Sequence, residues 1–159
     1  MTNTATATLV SPEDFLAHWQ GHRALTRRLV EAFPEDQLFS FSVGGMRPFG
    51  EMAWEIHQVS DSTLSGLLTG EWPEPDWREG LSQDRAELLS AWDALSGRLE
   101  REFMNVDLAF FPQTHRLPWG EMTGWAATIY TIDNEIHHRG QGYVYLRALG
   151  LEPPAFYER

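Results

Sequence analysis

Four stretches of this chain repeat apolar residues at helical spacing, and each carries at least one signal for where a helix starts or stops. The first opens at Ser11, whose hydroxyl can cap a helix ahead of Pro12, Glu13 and Asp14, and runs to about Phe33, where Pro34 stops it. Phe15, Trp19, His22, Leu25 or Thr26, and Leu29 form its inward stripe. The second follows Pro48 and reaches about Thr69, with Phe49, Met52, Ile56, Val59, Leu64 and Leu67 apolar. The third starts near Ser82, keeps Leu88, Leu89, Trp92, Leu95 and Leu99 on one face, and fades past Met104. Thr123 is the expected cap of the fourth, which ends at Leu149 on Gly150, with Pro153 and Pro154 forbidding continuation.

Between them, "LFSFSVGGMRPF" reads as an extended connection, "GEWPEPDWREG" as a loop, and "FFPQTHRLPWGEM" as an irregular connection. No strand pattern, repeat or low-complexity tract stands out. The expectation is an all-α four-helix bundle whose two longer connections leave room for crossovers.

Composition narrows the function. A chain of 159 residues, 42% apolar and with seven tryptophans, can bury one sizeable core, so a single domain over residues 11–159 after a flexible start is expected. Twelve basic residues against 23 acidic ones give a net charge of −11, which opposes binding to nucleic acid and to anionic membrane. The longest uncharged run within an expected helix, Met122 to Ile132, is about half the ~20 residues of a membrane span. The opening "MTNTATATLV" lacks the basic and apolar regions of a secretory signal, which points to the cytoplasm. With no cysteine, any metal must rest on nitrogen and oxygen.

Six histidines are available. Side chains four apart on a helix share a face, as bundle metal sites require, and three pairs meet that test: His18 with His22, Asp133 with His137, and Asn134 with His138. Gln141 and Tyr145 continue the stripe of the last pair. Spacing alone does not choose among them. His57 lies mid-helix among Met52, Ala53, Ile56 and Val59, where each ring nitrogen needs a partner, and Asp61 one turn on could accept a proton from one of them. Trp54 and Tyr145 could line a pocket, although aromatics at this spacing usually belong to the core. Gly140 and Gly142 inside a helix suggest close approach of another helix.

A central histidine after "GGMRPFGEMAWEIH", a fourth helix carrying "HHRGQ" and a tail "YLRALGLEPP" together resemble the DinB and YfiT-like superfamily of metalloenzymes, over about residues 11 to 155. The resemblance implies a bundle of up-down-down-up order, often dimeric, with zinc or nickel held by one histidine from helix two and two from helix four. Carried over, these positions fall on His57, Asn134 and His138, with Trp54, Asp61, Gln141 and Tyr145 around them. Asn134 stands where the family has histidine, so the site is expected to bind more weakly, prefer another metal, recruit a carboxylate such as Asp61, or be empty. The resemblance further implies thiol transfer to, or hydrolysis of, a small molecule. The competing expectation is a metal-free bundle that binds a small molecule or mediates dimerisation.

Overall fold

The computed structural model describes residues 9–76 and 81–159, so the expected flexible start lies outside the described residues as far as position 8, as does the end of the loop before helix three. Four helices dominate: α1 (Pro12–Ala32), α2 (Phe49–Thr69), α3 (Arg85–Glu102) and α4 (Gly124–Ala148). The caps explain where they begin. Ser11 Oγ accepts from the Asp14 amide at 3.0 Å, and the Thr123 side chain accepts from Ala126 at 3.2 Å. Helix α3 begins later than the expected Ser82, because Asp84 takes the amides of Ala86 and Glu87 at 2.6 and 3.2 Å, while the Ser82 hydroxyl accepts from the Asp84 amide. Helix α2 ends on Gly70, whose φ of 78° suits a residue without a side chain.

Residues of α1 and α4 pass through the core in the same direction, whereas those of α2 and α3 pass the other way. One apolar cluster joins Leu29, Val30 and Phe33 of α1 to Phe49 and Met52 of α2, Leu88 of α3, and Tyr145 and Leu146 of α4. A second joins Leu16 and Trp19 to Leu64 and Leu67, Leu95 and Leu99, and Ile132. The order is therefore up-down-down-up. Helix α1 packs on α3 and α4, and α2 packs on the same two, which places α1 and α2 diagonally.

A buried polar layer separates the two apolar clusters. It contains Arg23 and Thr26 from α1, Ser60 and Thr63 from α2, and Thr131, Glu135 and Arg139 from α4. Thr26 donates to Glu135 at 2.5 Å and accepts from Arg139 at 3.0 Å, while Arg139 also donates to His22 Nδ1 at 2.9 Å. Arg23 donates to the Trp92 carbonyl and to Ser96, and its guanidinium lies 4.3 Å from the Trp92 ring centroid. Burial lowers Arg23 to about 10, which leaves it charged at neutral pH. Burial also pushes the Glu135 carboxyl up, while Arg23, Thr26 and Arg139 pull it back.

The connection before α4 holds a feature that was expected to be irregular. Residues Thr114–Leu117 (β1) and Gly120–Thr123 (β2) pair antiparallel, with Leu117 opposite Gly120, so that Pro118 and Trp119 form the tip. In the connection before α2 the first residues turn rather than extend, since Ser40 and Phe41 bond back to Gln37, and a second turn follows at Gly44 and Gly45, where the Met46 amide bonds to the Val43 carbonyl.

Candidate functional site

Glu55, Asn134 and His138 meet between α2 and α4. Glu55 Oε1 lies 3.0 Å from His138 Nε2 and accepts from the Asn134 amide nitrogen at 3.2 Å. Its other oxygen accepts from Arg47 at 2.5 Å, from the connection that leads into α2. Burial opposes ionisation of Glu55, but the hydrogen bonds from His138 and Arg47 prevail and hold its carboxyl down to about 2. The Tyr145 hydroxyl donates to the Arg47 carbonyl at 3.0 Å and so fixes the segment that presents the guanidinium. Gln141 brings its oxygen to 3.5 Å from His138 Nδ1 and its nitrogen to 2.9 Å from His137 Nε2. The side chains of Glu55 and His138 are 16% and 10% exposed, so solutes can reach them.

His57 does not join this group. Two residues correspond to about 200° around a helix, so from Glu55 the chain turns His57 to the opposite flank of α2. There it lines a groove of about 310 Å3 with Asp61, Ala91, Ala94, Leu95 and Arg98. Asp61 does not serve His57, because it accepts from Arg98 at 2.7 Å. His57 Nδ1 is buried without a partner, and burial together with the charge of Arg23 lowers the ring to about 4, keeping it neutral. Trp54 follows His57 to that side, donating to the Ser82 carbonyl at 2.7 Å. Tyr145 is a core residue with no exposed surface. Of the site positions nominated from sequence, the structure thus brings together Asn134, His138 and Gln141, and adds Glu55 and Arg47 in place of His57 and Asp61.

His18 and His22 face each other at 3.2 Å, but His22 is committed to Arg139. Arg139 points away from the site, and the nearest carboxylate to it is Glu135 on its own helix, at 3.7 Å. Of the two glycines, only Gly142 is crowded: a Cβ there would lie 2.6 Å from the Phe49 ring, whereas one at Gly140 would meet nothing within 4 Å.

The match of residues 1–159 to the DinB family covers the whole chain. The chain belongs to the DinB family. Solved structures agree on the fold of this DinB chain. A DinB-like protein from Bacillus cereus superposes with a TM-score of 0.73 at 22% identity, covering 91% of this chain and 97% of the other. A second, from Bacillus subtilis, gives 0.69 at 21%, with 91% and 99% covered. YfiT from Bacillus subtilis gives 0.67 at 17%, with 96% and 95% covered, and is described as a probable metal-dependent hydrolase with an unusual four-helix bundle topology. No curated protein matches the chain.

The donor set can be tested against the divalent ion that this description implies. Among the described residues no three His, Asp or Glu side chains gather as a metal centre. With a carboxamide as the third donor, however, Glu55 Oε1 stands 3.0 Å from His138 Nε2, a separation between two ligand atoms, and Asn134 meets the same oxygen through its amide nitrogen at 3.2 Å. Two ligand atoms at ~2.1 Å from one ion stand about 3.0 to 3.4 Å apart, so the Glu55–His138 separation suits a shared ion, which Asn134 would join with its amide turned over. Asn134 Oδ1 is buried and has no partner. Turning the amide over would direct that oxygen at the carboxylate, an arrangement that only a cation between them stabilises. The residues fit a nitrogen-oxygen-oxygen set, which is harder than three imidazoles.

Proposed function

We propose that this chain is a metal-dependent enzyme acting on a small molecule, a hydrolase or a transferase of low-molecular-weight thiols, with its ion held by Glu55, Asn134 and His138. The observation that carries this reading is the convergence of those three donors beside an oxygen of Asn134 that has no other partner. When bound, the ion supplies Lewis acidity and makes a water or a thiol acidic enough to react near neutral pH. Arg47, 46% exposed at its side chain, offers a guanidinium to an anionic group of the substrate. Tyr145 holds the Arg47 backbone in place, and Gln141 steadies the His138 ring. Zinc or nickel is the expected ion, with the oxygen donors widening the choice toward manganese. The reading includes a cytoplasmic homodimer with no nucleic-acid or membrane partner, supported by the acidic charge and by the pairing of Arg27 with Asp93 and Glu31, which leaves no basic patch on α1.

Metal content by plasma mass spectrometry tests the assignment. Close to one equivalent in the native protein is expected, lost in Glu55→Gln and His138→Ala and kept in His57→Ala. Loss in His57→Ala with retention in Glu55→Gln would overturn the ligand set. One observation favours a second reading: Arg47, Asn134 and His138 already satisfy both oxygens of Glu55. A native protein that takes up no metal, beside an Asn134→His variant that does, would make this a binding or dimerisation module whose polar triad closes on itself.

A further inference from the structure

Tyr143 and Arg147 lie roughly 140° and 180° around α4 from His138, on a face where the helix and the tail after it enclose a second cavity, of about 540 Å3. This volume is in the range of small-molecule sites. Arg139, Tyr143 and Arg147 follow one another a turn apart on the helical wall, and Pro153, Pro154 and Phe156 form the facing wall.

Three observations give this cavity a chemical character. The Tyr143 hydroxyl is buried and has no hydrogen-bond partner, a state that native proteins generally avoid. Arg139, Arg28 and Arg147 all act electrostatically on that hydroxyl, a gathering of positive charge in a chain whose net charge is −11. Among the described residues, the Arg147 guanidinium has neither a hydrogen bond nor an ion pair, and it stands 5.9 Å from the Tyr143 ring centroid. Glu152, exposed on the tail, is the one acid on the lining.

We propose that the cleft between α4 and the C-terminal tail binds a small organic anion, a carboxylate, sulfonate or phosphate ester on an apolar body, with the acidic group held by Arg147 and, once the tail shifts to uncover it, by the buried Tyr143 hydroxyl. The body rests against the two prolines and Phe156. Arg139 is tied inward to His22 and Thr26, so it adds fixed positive charge without having to reorganise. The site is separate from Glu55 and His138 and needs no metal.

Isothermal titration of the full chain with naphthalenesulfonate, in the presence of EDTA, tests the proposal, with neutral naphthylmethanol and inorganic sulfate as controls. Saturable one-site binding is expected, weakened about tenfold in Arg147→Gln and severalfold in Tyr143→Phe, with both controls at least about tenfold weaker than the sulfonate. Circular dichroism of the two variants checks that they fold. No saturation up to ~10 mM, equal binding of the neutral analogue, or native affinity in Arg147→Gln would each overturn it. Because EDTA is present, a negative result here and an absence of metal at Glu55 are separate findings.

Discussion

At the scale of single residues, the position that matters most is the difference between Glu55 and His57. Ile56 is fully buried at the centre of the inward face of α2, so its neighbours stand about 100° to either side. One flank meets α4 and the other meets α3. Apolar periodicity marks Ile56 as inward but does not say which helix lies on which side, because that depends on the ring order of the bundle. The mid-helix position of His57 and the family resemblance both point to His57, and neither carries any signal for Glu55 two residues earlier. Four-residue spacing puts Asn134 and His138 on one face as a property of a single helix, but two other pairs share that spacing, and only the family resemblance singles out this one.

His22 yields a prediction of its own. Arg139 donates to its Nδ1, and burial first, then Arg139, His18 and Arg159, lower the ring from 6.5 to about 3. Below pH 6.5 the unfolded chain takes up a proton at this position that the folded chain refuses, so stability falls as the pH drops from 6.5 toward 3. His22→Gln keeps an acceptor for Arg139 and has no such proton. Its Tm, followed by calorimetry from neutral pH to about 4, should fall less steeply than that of the native protein. Parallel curves would show that His22 does not contribute to the acid sensitivity.

Among elements, α4 offers a paired experiment at two of its glycines. Gly142 admits the Phe49 ring and Leu29 to within 3 Å of where a Cβ would stand, whereas Gly140 faces open space. Gly142→Ala is therefore expected to cost ~1–3 kcal/mol through forced repacking of α1 and α2 against α4. Gly140→Ala should instead stabilise by up to ~1 kcal/mol, since alanine is the better helix former. Denaturant unfolding measures both, and changes of the same sign would contradict the contrast. The sequence pattern treats the two glycines alike, because helix propensity takes no account of what lies across the interface.

Helices were legible because their caps are local: Ser11 and Thr123 sit where the structure uses them. The β1–β2 hairpin was not. Its strands are four residues each, too short to display an alternation, and its tip of Pro118 and Trp119 lacks the Asn-Gly or Asp-Gly pair that announces a tight hairpin. The pairing becomes evident only once α3 and α4 fix the ends of the connection.

For the whole molecule, the polar layer between the two apolar clusters should be its most sensitive level. Glu135 has no exposed surface and faces Arg23, Thr26 and Arg139, so Glu135→Ala leaves two buried guanidinium groups without their anion. A loss of about 3–5 kcal/mol is expected by denaturant titration. A loss below ~1 kcal/mol would mean that water reaches the layer and solvates the arginines. Glu135 Oε2 and Arg23 Nη1 are both buried without a partner in the protein, a situation that an internal water molecule commonly resolves.

The same layer bears on how the four rods find their alignment. Hydrocarbon faces tolerate sliding: leucine against leucine is nearly as good one turn up as one turn down. Arg23 and Glu135 are not tolerant, since a shift of α1 against α4 by a single turn would break the hydrogen bonds that tie Thr26 to Glu135 and Arg139 and would carry Arg23 away from the carboxylate. The polar layer works like the teeth of a key, giving little net stability beyond what a greasy seam would provide but admitting only one longitudinal setting. Glu55 on α2 and His138 on α4 come within 3.0 Å because the helices that carry them stop at that setting.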